Sequence, residues 1–229
     1  MKIDLHTHTI YGSACAYMDP DQLIFKAKSV GLDGVCITEH DQVWGDGTLE
    51  RLRQKHGYLI IGGVEVSTDC GEVLVFGLHH PVLDVYNIQD LKKTVDQAGG
   101  VMILAHPFRY EADLVNQNVL SALSSPASID SAQLEDISHN PVYQLMDALE
   151  THNGRSGIRE KMLSKAVATH LNLPGTGGSD AHSVMGVGTC YTMFHDPVFD
   201  EQDLIRQIKE GSIQAVDKRW NGGGNETGK

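Results

Sequence analysis

At 229 residues, 41% hydrophobic and 21% charged, the chain has the composition of a folded protein long enough for one full core. Its formal charge of −12 argues against a broad duplex-nucleic-acid surface, which clustered Lys and Arg would have to build. No apolar run approaches the roughly 20 residues that cross a bilayer. The start lacks a basic stretch followed by an apolar core, so the expected setting is cytoplasmic. The four cysteines Cys15, Cys36, Cys70 and Cys190 fit that setting as reduced thiols: none has C-x-x-C spacing, and Cys36 sits in an apolar run.

Lys2–His6 reads as a first strand ending in His6-Thr7-His8. Residues two apart on extended chain share a side, so His6 and His8 present two imidazoles to one spot. Neutral imidazole is a common ligand for zinc-like ions, and the opening reads as half of a metal site. Asp19-Pro20-Asp21-Gln22 predicts a capped helix start, with Leu23, Ile24, Ala27 and Val30 as its apolar stripe and Gly31 at its end. Gly34–Thr38 follows as a buried strand, Thr48–His56 as a helix, Tyr58–Val66 and Val73–Leu78 as strands. Asn87–Gln97 reads as a helix closed by Gly99-Gly100, and Val101–Ala105 as a short core strand.

Glu111–Leu123 is expected to be helical, and Ser124–Asn140 an irregular excursion rich in Ser, Pro and Asp. Then come strand Met146–Glu150, helix Ile158–Leu171, a short strand entering Gly177-Gly178-Ser179-Asp180, strand Gly188–Phe194, a helix Glu201–Glu210 capped by Asp200, and strand Ile213–Val216. The alternation predicts an α/β fold with a mainly parallel sheet. Residues 1–218 are expected to form one domain and 219–229 a Gly-rich disordered tail.

Candidate ligands fall at strand ends: His6 and His8, then His40, Glu65, Glu72, His106, Asp180 and His182. Barrel enzymes collect their chemistry at the carboxyl ends of parallel strands, and six separate regions obey that pattern. Each has a bland reading, such as a His capping a strand, but Glu65 in an apolar strand needs a cation or strong donors.

The motifs His6-x-His8-Thr9, Thr38-Glu39-His40-Asp41, Gly63-Val64-Glu65, Ala105-His106-Pro107-x-Arg109 and Gly178-Ser179-Asp180-Ala181-His182, in that order, resemble the PHP (polymerase and histidinol phosphatase) superfamily. Ala148–Arg155 is similar to a late segment of its small stand-alone members. The resemblance implies a distorted (β/α)7 barrel with two or three divalent ions, of manganese, iron or zinc. By motif, His6, His8, Glu65 and Asp180 would hold one metal, Glu65 and His106 a second, His40 and His182 a third.

Two departures stand out. Ser13 occupies a position where many members carry a third-metal ligand, with Cys15 or water as substitutes. Glu72 stands where many carry a histidine, with His79 as the alternative by nearness in sequence.

The implied activity is hydrolysis of phosphate esters, small-molecule or nucleotide monoesters, by a hydroxide shared between metals. Arg109 and then Arg155 are the expected phosphate donors, since planar guanidinium suits a phosphoryl dianion. His40, His182 or His152 would protonate the leaving group. Tyr11, Tyr17 and Trp44 are candidates to stack on an aromatic one, while His56, His139, His170 and His195 read as surface or core residues. The alternatives are a 3′–5′ oligonucleotide phosphodiesterase, or a regulatory domain with a vestigial site. Expected partners are a small phosphorylated substrate or short nucleotide, with no duplex and no membrane.

Overall fold

The computed structural model describes residues 1–80, 86–109 and 131–219. The expected helix Glu111–Leu123 and the tail beyond residue 219 lie outside them. One sheet of nine strands runs through the molecule: β1 (Lys2–Asp4), β2 (Gly34–His40), β3 (Leu59–Thr68), β4 (Gly71–Phe76), β5 (Val101–Leu104), β6 (Ala148–Asn153), β7 (Gly175–Gly178), β8 (Cys190–Phe194) and β9 (Ile213–Asp217). Its order is β7-β6-β5-β4-β3-β2-β1-β8-β9. Beyond β1, Thr7 bridges Ala181 beyond β7, which brings the first seven strands round into a nearly closed, distorted barrel. Strands β8 and β9 continue the sheet from the other end of β1.

The expectation of a mainly parallel sheet needs correction. Pairs β1–β2, β2–β3, β5–β6 and β6–β7 are parallel, whereas β3–β4, β4–β5, β1–β8 and β8–β9 are antiparallel. Only Asp69 and Cys70 separate β3 from β4, too short for a crossover, so the chain must fold back as a hairpin. Gly71 makes that reversal at φ 114°, a conformation open to glycine.

The helices form largely where caps announce them. Helix α1 (Pro20–Ser29) carries the full capping box between Asp19 and Gln22. Helix α2 (Asp46–His56) begins two residues before the expected Thr48. Helix α3 (Ile88–Ala98) is capped by Asn87 and ended by left-handed Gly99. A short helix, α4 (Ser131–Ser138), replaces part of the expected irregular excursion, because Leu134 and Ile137, three apart, pack on the core. Helix α5 (Ile158–His170) precedes β7, and α6 (Glu201–Glu210), capped by Asp200, precedes β9.

Period-two alternation then builds the site. Cys36, Ile61, Leu74, Phe76, Ile103 and Ala148 share one buried cluster inside the sheet, floored by Leu204, Ile205 and Ile208 of α6. Two or four residues further along the same faces stand His40, Glu65, Glu72 and Glu150. The apolar layer thus gives way to a polar one at a single mouth.

Candidate metal centre

Strand β1 ends at Asp4, so His6 and His8 lie on an extended segment beyond it. That segment is bound on both sides: Thr38 N–H donates to the Thr7 carbonyl, Asp180 N–H to that of His6, and His8 N–H to that of Ala181. Gly178 allows the approach, since a Cβ there would meet the His6 Cβ at 2.4 Å. The two imidazoles converge as expected, with ring centroids 5.0 Å apart.

Glu65 is the centre of the cluster. Its carboxylate lies 3.2 Å from His6 Nε2, 3.3 Å from His8 Nε2, 2.9 Å from His40 Nδ1 and 3.0 Å from His106 Nε2. Asp180 Oδ1 stands 3.4 Å from both His8 Nε2 and His182 Nδ1. Glu72 Oε2 is 3.4 Å from His106 Nε2. Although Glu72 opens its strand, β4 runs antiparallel, so its first residues reach the mouth.

The donor atoms fall into groups within 4.8 Å of one another: His6, His8 and Glu65; His6, His106 and Asp180; His40, Glu65 and Glu72; and His8, His40 and His182. All eight expected ligands are therefore brought together. His79 is not among them. It faces Asp46 and Glu201 at 3.4 Å each, in a separate cavity below α2.

The chemistry of this donor set fits divalent cations. His6 Nε2 and His8 Nε2 are buried without a hydrogen-bond partner, and both face the buried Glu65 carboxylate. Buried polar atoms without partners are costly, and a cation satisfies such lone pairs. Burial alone would raise Glu65, but His6 and hydrogen bonds from His106 and His40 hold it well below the carboxylate range. Burial likewise opposes charge on His6, yet Glu65, Glu150 and Asp180 draw its pKa well upward. A pocket so favourable to a proton on His6 is favourable to another cation. His8 is pushed down to about 4 by burial, leaving a neutral imidazole.

Residues without an assigned role in the sequence reading complete the centre. Glu150 Oε1 lies 2.9 Å from His6 Nδ1, and its Oε2 accepts from His106 N–H and Asn153 Nδ2. Carboxylates on the far nitrogen of a ligating histidine fix its orientation. The signal for Glu150 was present: a carboxylate inside an apolar strand, like Glu65. Ser13 lies behind His8, outside these donor groups. Its hydroxyl donates to Glu39 Oε2 at 2.6 Å and lies 3.2 Å from His8 Nδ1.

The centre opens into a cleft of about 660 Å³ lined by Cys15, Tyr17, His40, Arg109, Arg155 and His182. Arg109 is engaged by Asp180 Oδ2 at 2.6 Å and by Asn153. The more exposed Arg155 reaches His182 Nδ1 at 3.1 Å. His152 is not in the cleft; burial and the neighbouring Lys165 push it down to about 4. Of the aromatic candidates, Tyr17 lines the cleft, whereas Tyr11 and the mostly buried Trp44 meet edge to face beside a different groove. His139, His170 and His195 are exposed, and His56 pairs with Asp21.

Residues 4–165 match the model of the PHP domain, and residues 159–213 that of a PHP-associated segment. An uncharacterised protein of Methanocaldococcus jannaschii is 26% identical over 117 residues, covering 47% of this chain and 68% of that protein. The fold is similar to a two-domain protein of Bacteroides vulgatus containing a predicted PHP-like metal-dependent phosphoesterase (TM-score 0.68, 18% identity, 95% of this chain and 64% of that one). It is also similar to a lesion-specific endonuclease of Pyrococcus furiosus (TM-score 0.57, 17% identity, 93% and 57%). This chain thus spans less than two thirds of either solved chain. With the family model covering most of its length, the chain belongs to the PHP domain family.

Proposed function

We propose that this chain is a metal-dependent hydrolase of phosphate esters acting on small or nucleotide monoesters. The observation that carries this is the pair of buried, unpartnered imidazole nitrogens of His6 and His8, converging with Glu65 within 4.8 Å. On this reading His6, His8, Glu65 and Asp180 hold one ion, Glu65, Glu72 and His106 a second, and His40 with His182 a weaker third. When bound, such ions polarise a phosphoryl oxygen and lower the pKa of coordinated water.

The remaining roles fall to residues of the cleft. Arg109 is fixed by Asn153 and Asp180 with its guanidinium in the cleft wall, where it would orient the phosphoryl group. Arg155 would close over the phosphate from the rim. His40 retains a proton above the ordinary imidazole value because it hydrogen-bonds Glu65, which suits it to protonate a leaving group when no third ion is held. A cytoplasmic setting is part of the proposal and is supported by four unpaired cysteines.

The second reading, phosphodiester cleavage in a short oligonucleotide, draws on the structural likeness to the endonuclease. Chelator-stripped enzyme resupplied with manganese, zinc or iron should release phosphate from an aryl phosphate and a nucleoside monophosphate faster than it shortens an oligonucleotide. The opposite order would favour the second reading. No metal-dependent turnover on any of the three would leave the vestigial alternative.

A further inference from the structure

We propose that Glu39 and Ser13 form a hydrogen-bond relay that fixes the tautomer of His8 and thereby sets the affinity of the inner metal site. The idea rests on the metal-binding reading above but concerns residues outside the ligand set.

Glu39 is fully buried at the end of β2. Thr9 N–H donates to its oxygens at 3.0 and 3.2 Å, the Thr9 hydroxyl donates to Oε1, and the Ser13 hydroxyl donates to Oε2 at 2.6 Å. The loop is moulded onto this carboxylate: a Cβ on Gly12 would lie 2.5 Å from Glu39 Cγ. A carboxylate accepts only, so the single Ser13 proton is committed to Glu39. Ser13 Oγ can then only accept, and its two other neighbours are His8 Nδ1 at 3.2 Å and the His40 N–H at 3.3 Å.

The direction of the chain follows. With a cation held between His8 and the facing Glu65 Oε2 and Asp180 Oδ1, which stand 3.3 and 3.4 Å away, His8 would give it the Nε2 lone pair and carry its proton on Nδ1, donating to Ser13 Oγ. Glu150 does the same for His6 directly, at 2.9 Å from Nδ1. Ser13 thus acts as a positioning residue, ordering one histidine through its side chain and holding the backbone of another.

Glu39→Gln tests the polarity of the relay with little change of shape. The amide oxygen stays with the two Thr9 donors, so the amide nitrogen faces Ser13. Ser13 then accepts a hydrogen bond from the Gln amide and turns its own hydroxyl toward His8 Nδ1, where it opposes the Nδ1–H that cation binding at Nε2 requires.

The experiment is nitrogen NMR of the imidazoles in zinc-loaded protein, paired with zinc titration. Wild type should show a His8 Nδ1–H protected from exchange by its bond to Ser13, and Glu39→Gln should lose that protection and bind zinc about 10- to 100-fold more weakly. Ser13→Thr should resemble wild type, and Ser13→Ala should weaken binding in the same direction. An unprotected His8 Nδ1–H in wild type, or unchanged zinc affinity in Glu39→Gln and Ser13→Ala, overturns the relay. If Glu39→Gln fails to fold, the wild-type spectrum and the two Ser13 variants decide. Failure of wild type to bind zinc would sink the metal-binding reading and the relay with it, whereas zinc binding of equal strength in wild type and variants would sink the relay alone.

Discussion

His106 and Asp180 hold φ angles of 28° and 53°, in the left-handed region that residues other than glycine seldom adopt. Such positions cost on the order of 1–3 kcal/mol each and persist where surrounding bonds over-determine them. Here the bonds are visible: Glu150 accepts from His106 N–H, and the His6 carbonyl accepts from Asp180 N–H. Both strained residues belong to the donor set, so the strain is spent on aiming ligands. The same crowding sets a pH dependence. His6 is raised by Glu65, Glu150 and Asp180 despite burial, and His40 by its hydrogen bond to Glu65. Each must release a proton before a cation can take its place. Manganese affinity should therefore fall as pH is lowered, beginning above the ordinary imidazole range because both groups are raised, with protons released on binding. Calorimetric titration in buffers of different ionisation enthalpy checks this; affinity independent of pH would mean that the ions bind elsewhere.

At the scale of elements, much of the site was legible because strands have a period of two and a barrel has one functional end. His40 and Glu65 are paired neighbours across β2 and β3, and both lie where an apolar strand turns polar. The direction of β4 was not legible in the same way. Nothing in Val73–Leu78 distinguishes a parallel from an antiparallel core strand; the two-residue link at Asp69 and Cys70 decides it. Ser13 was readable as a departure but not as part of a relay, since its partner Glu39 lies 26 residues away.

A tertiary contact of the same kind ties β9 to the cleft. Arg219, just past that strand, forms a two-pronged pair with Asp217 and donates to the Gly154 carbonyl at 2.7 Å. Gly154 lies between Asn153 and Arg155, the turn that supports Arg109 and carries a cleft guanidinium. Arg219→Ala should cost about 1 kcal/mol, the modest value of a half-exposed pair, and lower Tm by roughly 2–4 °C. It should also raise KM for a phosphate ester more than it lowers kcat, because on the proposed function the turn would position substrate from outside the donor groups. Steady-state kinetics with thermal melts would show this, and an unchanged KM would detach Arg219 from the site.

For the molecule as a whole, the mouth is where buried carboxylates gather at the closure of the barrel. Closure beyond β1 and β7 rests on the Thr7–Ala181 bridge, the backbone bonds beside it, and buried bonds from Ser179 N–H to Asp4 and between Gly177 and the Thr192 hydroxyl. Around it stand the carboxylates of Glu39, Glu65, Glu72, Glu150 and Asp180, and the two guanidiniums of the cleft, Arg109 and Arg155, both lie against Asp180, leaving carboxylates in excess. Cations held there would join ligands from β1, β2, β3, β4, β5 and β7, or from just beyond them, and so fasten the ends of most barrel strands together. Binding to the folded state alone stabilises by about 2.7 kcal/mol at a hundred times Kd. For a chain of this size that corresponds to a rise in Tm of roughly 5–10 °C. Stripped protein should therefore melt lower and recover on titration with manganese, and Glu65→Gln should abolish most of the recovery, because His6, His8, His40 and His106 all meet at that carboxylate. Equal recovery in the variant would place the stabilising ions away from the mouth, and the case for a metal-dependent hydrolase would lose its structural basis.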